Sequence, residues 1–530
     1  MMRLTRRILM GAVGSAMALG VMAGSPQAEP RYGGELVLIS TQAPRHLNPA
    51  VQSGIATGVP GTQIFASLLR FDGEWNPQPY LAESWEWSDD ALSLTVNLVQ
   101  GAVFHDGEPI TSSDVAFSIR TIQENHPFQT MFAPVEAVET PDDHTAIFRL
   151  SRPHPALLLA LSSALSPIIP EHVFGDGQDV ASHPANNEPV GSGPFRLVEF
   201  RPGEQITLER FDDFFIEGRP HLDRIVIRIV RDSSTAVLAM ESGAADLLPL
   251  FSESQGIRRL QGVAGLDYTT RGYEGIGAII WLAFNTRRAP LDDVRVRQAI
   301  AFALDRDFII NALHRGASVP QRGPIIESSP FFNPEVEPYG LDIDRANALL
   351  DEADHPTGDG GTRFGLTIDF IPGNAEQQQN VAEYIRSQLR RVGIAVEVRA
   401  APDFPTWAGR IASGDFDMTM DNVFNWGDPV IGVHRTYLCS NIRPVIWSNT
   451  QGYCNPRVDE LLAAAAVELD LDGRVELYAE FQRIVTDEVP IYFLNATPYH
   501  TFHDVRLGNV PVSIWGVLQS MDEVYWAEDR

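Results

Sequence analysis

Only two cysteines, Cys439 and Cys454, occur in the 530 residues, which excludes a framework of several disulfides. Metal binding through that pair is disfavoured as well, because no second Cys/His pair sits at ligand spacing. Basic residues are scarce: 40 against 69 acidic ones, a net charge of -29, and no basic stretch beyond the first residues. Nucleic acid and anionic membrane surfaces are therefore poor partners. No stretch approaches the ~20 unbroken apolar residues of a spanning helix. Low-complexity segments are absent, and so are G-x-S-x-G, H-E-x-x-H and P-loop motifs. Nothing marks a nucleophile, a metal triad or a phosphate cradle, so neither catalysis nor a cofactor is expected. The acidic excess confers solubility and does not by itself identify a cationic ligand. What remains is a chain with 44% apolar residues, ample for packed cores, and a length fitting roughly two to four domains.

The N-terminus addresses the compartment. Arg3, Arg6 and Arg7 precede a modest apolar run from Ile8 to Ala23 and a small-residue zone ending at Ala28. This is the form of a signal peptide over residues 1–28, and it implies an exported, periplasmic chain. Thr5-Arg6-Arg7-Ile8-Leu9 also resembles a twin-arginine signal. No cysteine lies near the cleavage zone, so lipid anchoring there is excluded. In an oxidising compartment a nearby cysteine pair reads as a disulfide, worth ~3 kcal/mol for a loop of about 15 residues; two buried free thiols are the alternative.

The elements alternate without a repeat period, an α/β pattern. Strands are expected over Gly34–Ser40, Ser93–Val99 and the strictly alternating Arg224–Val230. A capped helix begins at Thr111. The clearest helical region is Leu291–Leu313, where Asp292 can cap and Asp293 can pair with Arg297. Val381–Arg391 reads as a helix leading into the strand Ile394–Val398, and two further helices cover Val458–Ala466 and Arg474–Val485. Between them lies Asp421–Asp459, which holds both cysteines, two Trp, two Tyr, three Arg and a His, broken by Gly and Pro. It is too polar for a core strand and too broken for a helix, so it reads as an ordered loop suited to holding a small polar ligand.

Five motifs in order then carry a resemblance. They are Pro79-Tyr80-Leu81-Ala82-Glu83-Ser84-Trp85; Val103-Phe104-His105-Asp106-Gly107 with Asp114-Val115-Ala116-Phe117-Ser118; Val190-Gly191-Ser192-Gly193-Pro194-Phe195; Leu282-Ala283-Phe284-Asn285; and Asp293-Val294-Arg295-Val296-Arg297-Gln298-Ala299. With them the chain resembles, over nearly its whole mature length, the periplasmic solute-binding proteins of peptide, dipeptide and nickel ABC importers (extracellular solute-binding family 5). The resemblance implies an α/β fold of two hinged lobes, one split by an inserted small domain. Carried onto this chain, lobe I takes residues 29–71, 188–285 and 499–530, the insert 72–187, and lobe II 286–498. The crossovers Trp281–Asn285 and Pro490–Pro498 would be the hinge. The glycines, prolines and Arg297 of the motifs are assigned structural roles.

Dipeptide-type relatives clamp a ligand amine with an aspartate four residues before the Pro of a G-D-P element, and that position here is Asn425. Their carboxylate-binding arginine falls, by an ungapped register, on Gln379. Amides do not neutralise a buried charge, so a free zwitterionic dipeptide fits poorly. In a slipped register, Asp421 or Asp428 would supply the carboxylate and Arg435 the guanidinium, while Asp428 could equally start a turn. Trp426 is expected in the pocket and Trp407 in the core; Ser53 and Gly54 resemble a first-lobe segment that touches ligand, with a surface turn as the alternative. The relatives also carry a local disulfide here, matching Cys454-Asn455-Pro456-Arg457-Val458-Asp459. The expected partners are a small solute (peptide-like or modified peptide, opine, glycoconjugate) and ABC permease subunits, the protein acting as a monomer. A nickel or metal-chelate binder, with His434 as contact, is the runner-up, followed by a periplasmic sensor or chaperone.

Overall fold

Two large sheets and one small one organise the chain. The computed structural model describes residues 30–337, 339–358, 360–372, 375–497 and 499–528. The expected signal peptide lies outside the described residues, as does Pro498 of the second expected crossover. The first sheet has seven strands in the order Leu266–Thr269, His500–Asp504, Leu247–Phe251, Glu35–Ser40, Arg224–Ile229, Gln205–Arg210, Phe195–Arg201. Glu35–Ser40 runs parallel to both of its neighbours. Its Leu36, Val37, Leu38 and Ile39 are all buried. That is why this strand reads as a continuous apolar run and not as an alternating one.

The second sheet has six strands in the order Val319–Pro320, Ile491–Ala496, Ala278–Phe284, Met418–Phe424, Phe364–Phe370, Ile394–Ala400. Ala278–Phe284, assigned from the sequence to the end of lobe I, pairs in register with Met418–Phe424 and with Ile491–Ala496 at the centre of this sheet. The chain therefore crosses between the large sheets after Thr269 and before Ala278, not at Trp281–Asn285, and returns between Ala496 and His500. The small sheet, Ala82–Trp87, Ser93–Leu98, Thr145–Leu150 and Val135–Asp142, lies within residues 72–187. The helix Ser112–Asn125 packs on it, and Asp114 Oδ2 accepts from the Thr111 N–H at 2.8 Å to fix its first turn.

The helical region expected over Leu291–Leu313 is helical but broken into separate pieces. Asp293, not Asp292, caps Val294–Phe302, accepting from the Arg295 N–H at 2.8 Å. The Asp293 carboxylate pairs with Arg295, while the Arg297 guanidinium donates to the carbonyls of Leu291, Glu488 and Val489. Asp305 starts a new turn by accepting from Phe308 N–H, and a π-turn follows over Ile309–Leu313.

Two of the motifs meet as a joint. A Cβ at Gly191 would lie 2.0 Å from the Ile64 carbonyl oxygen, so only glycine admits this approach to the helix Ile55–Ile64. Between the two glycines, the Ser192 hydroxyl accepts from Ala66 N–H and donates to Ile168 O, both at 2.9 Å. His105 lies against the same segment, with Nδ1 accepting from Gly191 N–H at 3.2 Å and Nε2 at 3.0 Å from Gly193 O. Burial pushes its imidazole down to about 4, which matches the neutral form that these two bonds require.

Candidate functional site

The carboxyl ends of the parallel strands in both large sheets open onto one cavity of about 480 Å³. This is where open α/β sheets hold ligands. From the first sheet come Gln42, Arg231 and Ser252, each just past a strand end. The second contributes Asn422 and Phe424, which share a face of Met418–Phe424, and Gln377 and Gln378 on the helix Ala375–Arg390. The strand Ile491–Ala496 supplies Asn495, and the return crossover that follows it supplies Thr497 and Tyr499. Phe404 and Trp447 complete an aromatic side.

Among the described residues this lining is polar and nearly uncharged. Arg231 is exposed. The Glu253 carboxylate is spent on capping, accepting from the N–H groups of Gln255 and Gly256. His314 Nδ1 lies 2.8 Å from Ser318 Oγ, and burial pushes its imidazole down to about 4, so it is neutral at pH 7. Three buried polar atoms of the wall have no hydrogen-bond partner among the described residues: Asn422 Oδ1, Asn495 Oδ1 and Thr497 Oγ1. Native folds pair nearly all such atoms, so three in one cavity mark a surface built for something that donates hydrogen bonds. A second cavity, of about 560 Å³, lies beside Arg70 and Asp72. Its charges are already used: Arg70 pairs with Asp522 at 2.9 Å, and Asp72 accepts from Glu74, Asn76 and Gln78.

The residues singled out from the sequence fall mostly behind this surface. Asn425 is buried, with Oδ1 accepting from Ile326 N–H at 2.8 Å and Nδ2 donating to Pro324 O at 3.0 Å. Its amide is consumed in tying one loop to the next. Gln379 is exposed on its helix, and its neighbours Gln377 and Gln378 line the cavity instead. Trp426 is buried among Phe128, Phe424 and Trp515, so it is a packing residue, and Trp407 is fully buried. Asp428 starts the turn Pro429–Gly432 and pairs with Arg474 through two bonds of 2.8 and 2.9 Å. Arg435 lies over the Phe128 ring at 4.9 Å and donates to Gly432 O, and burial pushes its guanidinium down to about 10. Ser53 and Gly54 lead into the helix Ile55–Ile64, Gly54 at φ 113, and neither lines the cavity. His434 is buried with Nε2 at 2.9 Å from the Tyr478 hydroxyl, and burial pushes it down to about 3. Among the described residues no group of three His, Cys, Asp or Glu side chains is arranged to hold a metal ion.

Cys439 and Cys454 form a disulfide. The loop that it closes carries Trp447, whose indole Nε1–H donates to Asp421 Oδ2 at 2.9 Å. Asp421 also accepts from Asn422 N–H, and burial pushes its carboxyl up to about 7. Among the cavity residues that sequence reasoning passed over are Asn422, Trp447, Phe404, Asn495 and Thr497. A trace of them was there: Asn495 is the one amide inside the apolar run Ile491–Ala496, and Asn422 and Trp447 both lie in the Asp421–Asp459 stretch.

Two lobes around a cleft, joined by two crossovers of the chain, define the class of bilobal solute-binding proteins. A family profile described as bacterial extracellular solute-binding proteins, family 5 Middle, matches residues 76–443, more than half of the chain. The chain belongs to the bacterial extracellular solute-binding proteins, family 5. It is similar to heme-binding protein A of Haemophilus influenzae, 29% identical over 88% of this chain and 87% of that protein. Likewise it is 26% identical to the dipeptide-binding protein of Escherichia coli, over 90% of this chain and 91% of the relative. Among solved structures, the ABC transporter substrate-binding protein CtaP of Listeria monocytogenes superposes with a TM-score of 0.81 at 27% identity, covering 94% of this chain and 100% of that one.

Proposed function

We propose that this solute-binding protein is the capture component of an ABC importer. In this reading it is exported to the periplasm as a monomer, closes its lobes on one small polar solute, and delivers it to a membrane permease. The solute is of the peptide or opine type but not a simple free dipeptide; blocked or modified peptides, opines and glycoconjugates are the candidates. One observation carries the reading: among the described residues the cavity offers unpartnered polar atoms but no free carboxylate, since Glu253 is spent on its own helix. An ammonium buried there without a partner would cost several kcal/mol, whereas an amide N–H would be satisfied by Asn422, Asn495 or Thr497. Closure follows from a ligand that contacts both lobes, because only the closed state makes both sets of contacts.

The test is gentle purification of the exported protein, release of the bound solute, and mass spectrometry, followed by calorimetry with ordinary dipeptides. A co-purified polar solute without a free α-ammonium, and no dipeptide binding tighter than millimolar, is the expected result. Nanomolar-to-micromolar binding of ordinary dipeptides would sink the ligand class.

A further inference from the structure

Two large aromatic side chains stay exposed inside the cleft, Phe404 at 38% and Trp447 at 39%. Their ring centroids are 5.9 Å apart with 34° between the planes. Trp447 is held in place from behind. Its indole N–H is bound by the buried Asp421, its backbone is left-handed at φ 60, and its loop is closed by Cys439–Cys454. A bulky residue keeps such a backbone only where its surroundings dictate it, and such positions cluster at ligand clamps. The nearby Trp407, by contrast, is fully buried, with its Nε1–H donating to Thr419 Oγ1 at 3.2 Å. The same cavity carries the three unpartnered polar atoms of Asn422, Asn495 and Thr497. A solute that satisfies both surfaces has an apolar, planar part and uncharged N–H donors.

We infer that Trp447, together with Phe404, is the specificity-determining face of the cleft, and that the solute is a neutral amide bearing a planar apolar group which stacks there. Asp421 is a positioning residue that acts through the Trp447 indole. The inference rests on the cleft being the solute site. It adds a chemical requirement, the planar group, that solute capture alone does not contain.

The probes are N-acetyl-phenylalaninamide and N-acetyl-alaninamide, titrated calorimetrically into the ligand-stripped mature protein. The phenyl compound is expected to bind about tenfold more tightly or better, the difference that burial of one ring supplies. Trp447→Ala should bring the two within about twofold, while Trp447→Phe, which keeps a ring but loses the N–H that Asp421 holds, should keep only part of the preference. Asp421→Val should lower the preference, and Asp421→Asn should restore it, because a carboxamide oxygen still accepts the indole N–H. Restoration by the conservative variant is a readout that a merely structural Asp421 would not give, and the Trp447 pair decides the question if Asp421→Val fails to fold. A preference untouched by Trp447→Ala, or a co-purified solute without a planar group, overturns the inference and leaves solute capture standing. Absence of any bound amide together with absence of any co-purified solute overturns both.

Discussion

Replacing Asp421 with asparagine should change how stability depends on pH. The Asp421 carboxyl is buried and pushed up to about 7, chiefly by burial, against hydrogen bonds from Asn422 and Trp447 and the charge of Arg435, which pull it down. In the unfolded chain it releases its proton near 3.8. Between those values the folded protein holds a proton that the unfolded one has lost, so folding becomes less favourable as pH rises through the window. A displacement of about three pH units corresponds to ~4 kcal/mol, an upper bound on the order of magnitude. The carboxamide of Asp421→Asn cannot titrate, but its single acceptor oxygen serves only one of the two donors, which costs about 1–3 kcal/mol at every pH. The variant should therefore be somewhat less stable than the natural protein at pH 4.5 and as stable or more stable at pH 8. Urea denaturation followed by far-UV circular dichroism, from pH 4.5 to pH 8, measures the difference, and the buried histidines cancel because both proteins share them. A difference between the two proteins that stays flat across this range would refute the placement of Asp421 as a buried, protonated carboxyl.

Further outcomes follow from other parts of the molecule. Arg474→Met strands the buried Asp428 carboxylate and should cost ~3–5 kcal/mol in denaturant unfolding, with part of the loss recovered by adding Asp428→Asn. Gly191→Ala places a methyl against the Ile64 carbonyl and should destabilise by about 1–3 kcal/mol; a cost below about 0.5 kcal/mol would contradict the close approach. Replacing Cys439 and Cys454 by Ser releases a loop spanning 15 residues and should cost ~3 kcal/mol, read as a fall in the urea midpoint under oxidising conditions. His105 and His314, both pushed down to about 4 from 6.5, favour the neutral fold. Their contribution should be complete above pH 6.5 and decline as pH falls toward 4, so His105→Gln should flatten the acid limb of the stability curve.

The short apolar runs Glu35–Ser40, Ser93–Leu98 and Arg224–Ile229 were legible because one strand's burial is written in its own residues. The region Leu291–Leu313 was less so. Its helical periodicity is real, but Arg297 is held by carbonyls of Glu488 and Val489, which no local pattern shows. The lobe boundary failed for a similar reason: Ala278–Phe284 pairs on both sides with strands far along the chain, and pairing partners are not encoded in one strand. At the site, the sequence showed that the Asp421–Asp459 stretch is rich in amides and aromatics, yet not which of them face the cleft. Asn425 and Asn422 differ only in what tertiary structure offers them. Pro324 and Ile326 claim the first, while the second is left with an oxygen that nothing among the described residues satisfies.

The separation of the two cleft walls along the chain bears on how such a protein diverges. Trp447 belongs to a stapled loop, whereas Thr497 and Tyr499 belong to the crossover that joins the lobes. Mutation in the loop retunes what is selected while leaving the mechanics of closing alone. On the proposed capture reading, mutation at the crossover would alter residence time and selectivity together, because the same residues line the cavity and join the lobes. Drift toward new cargo is therefore cheapest through the stapled loop, and the crossover is where a change of cargo would also change the rate of release to the permease.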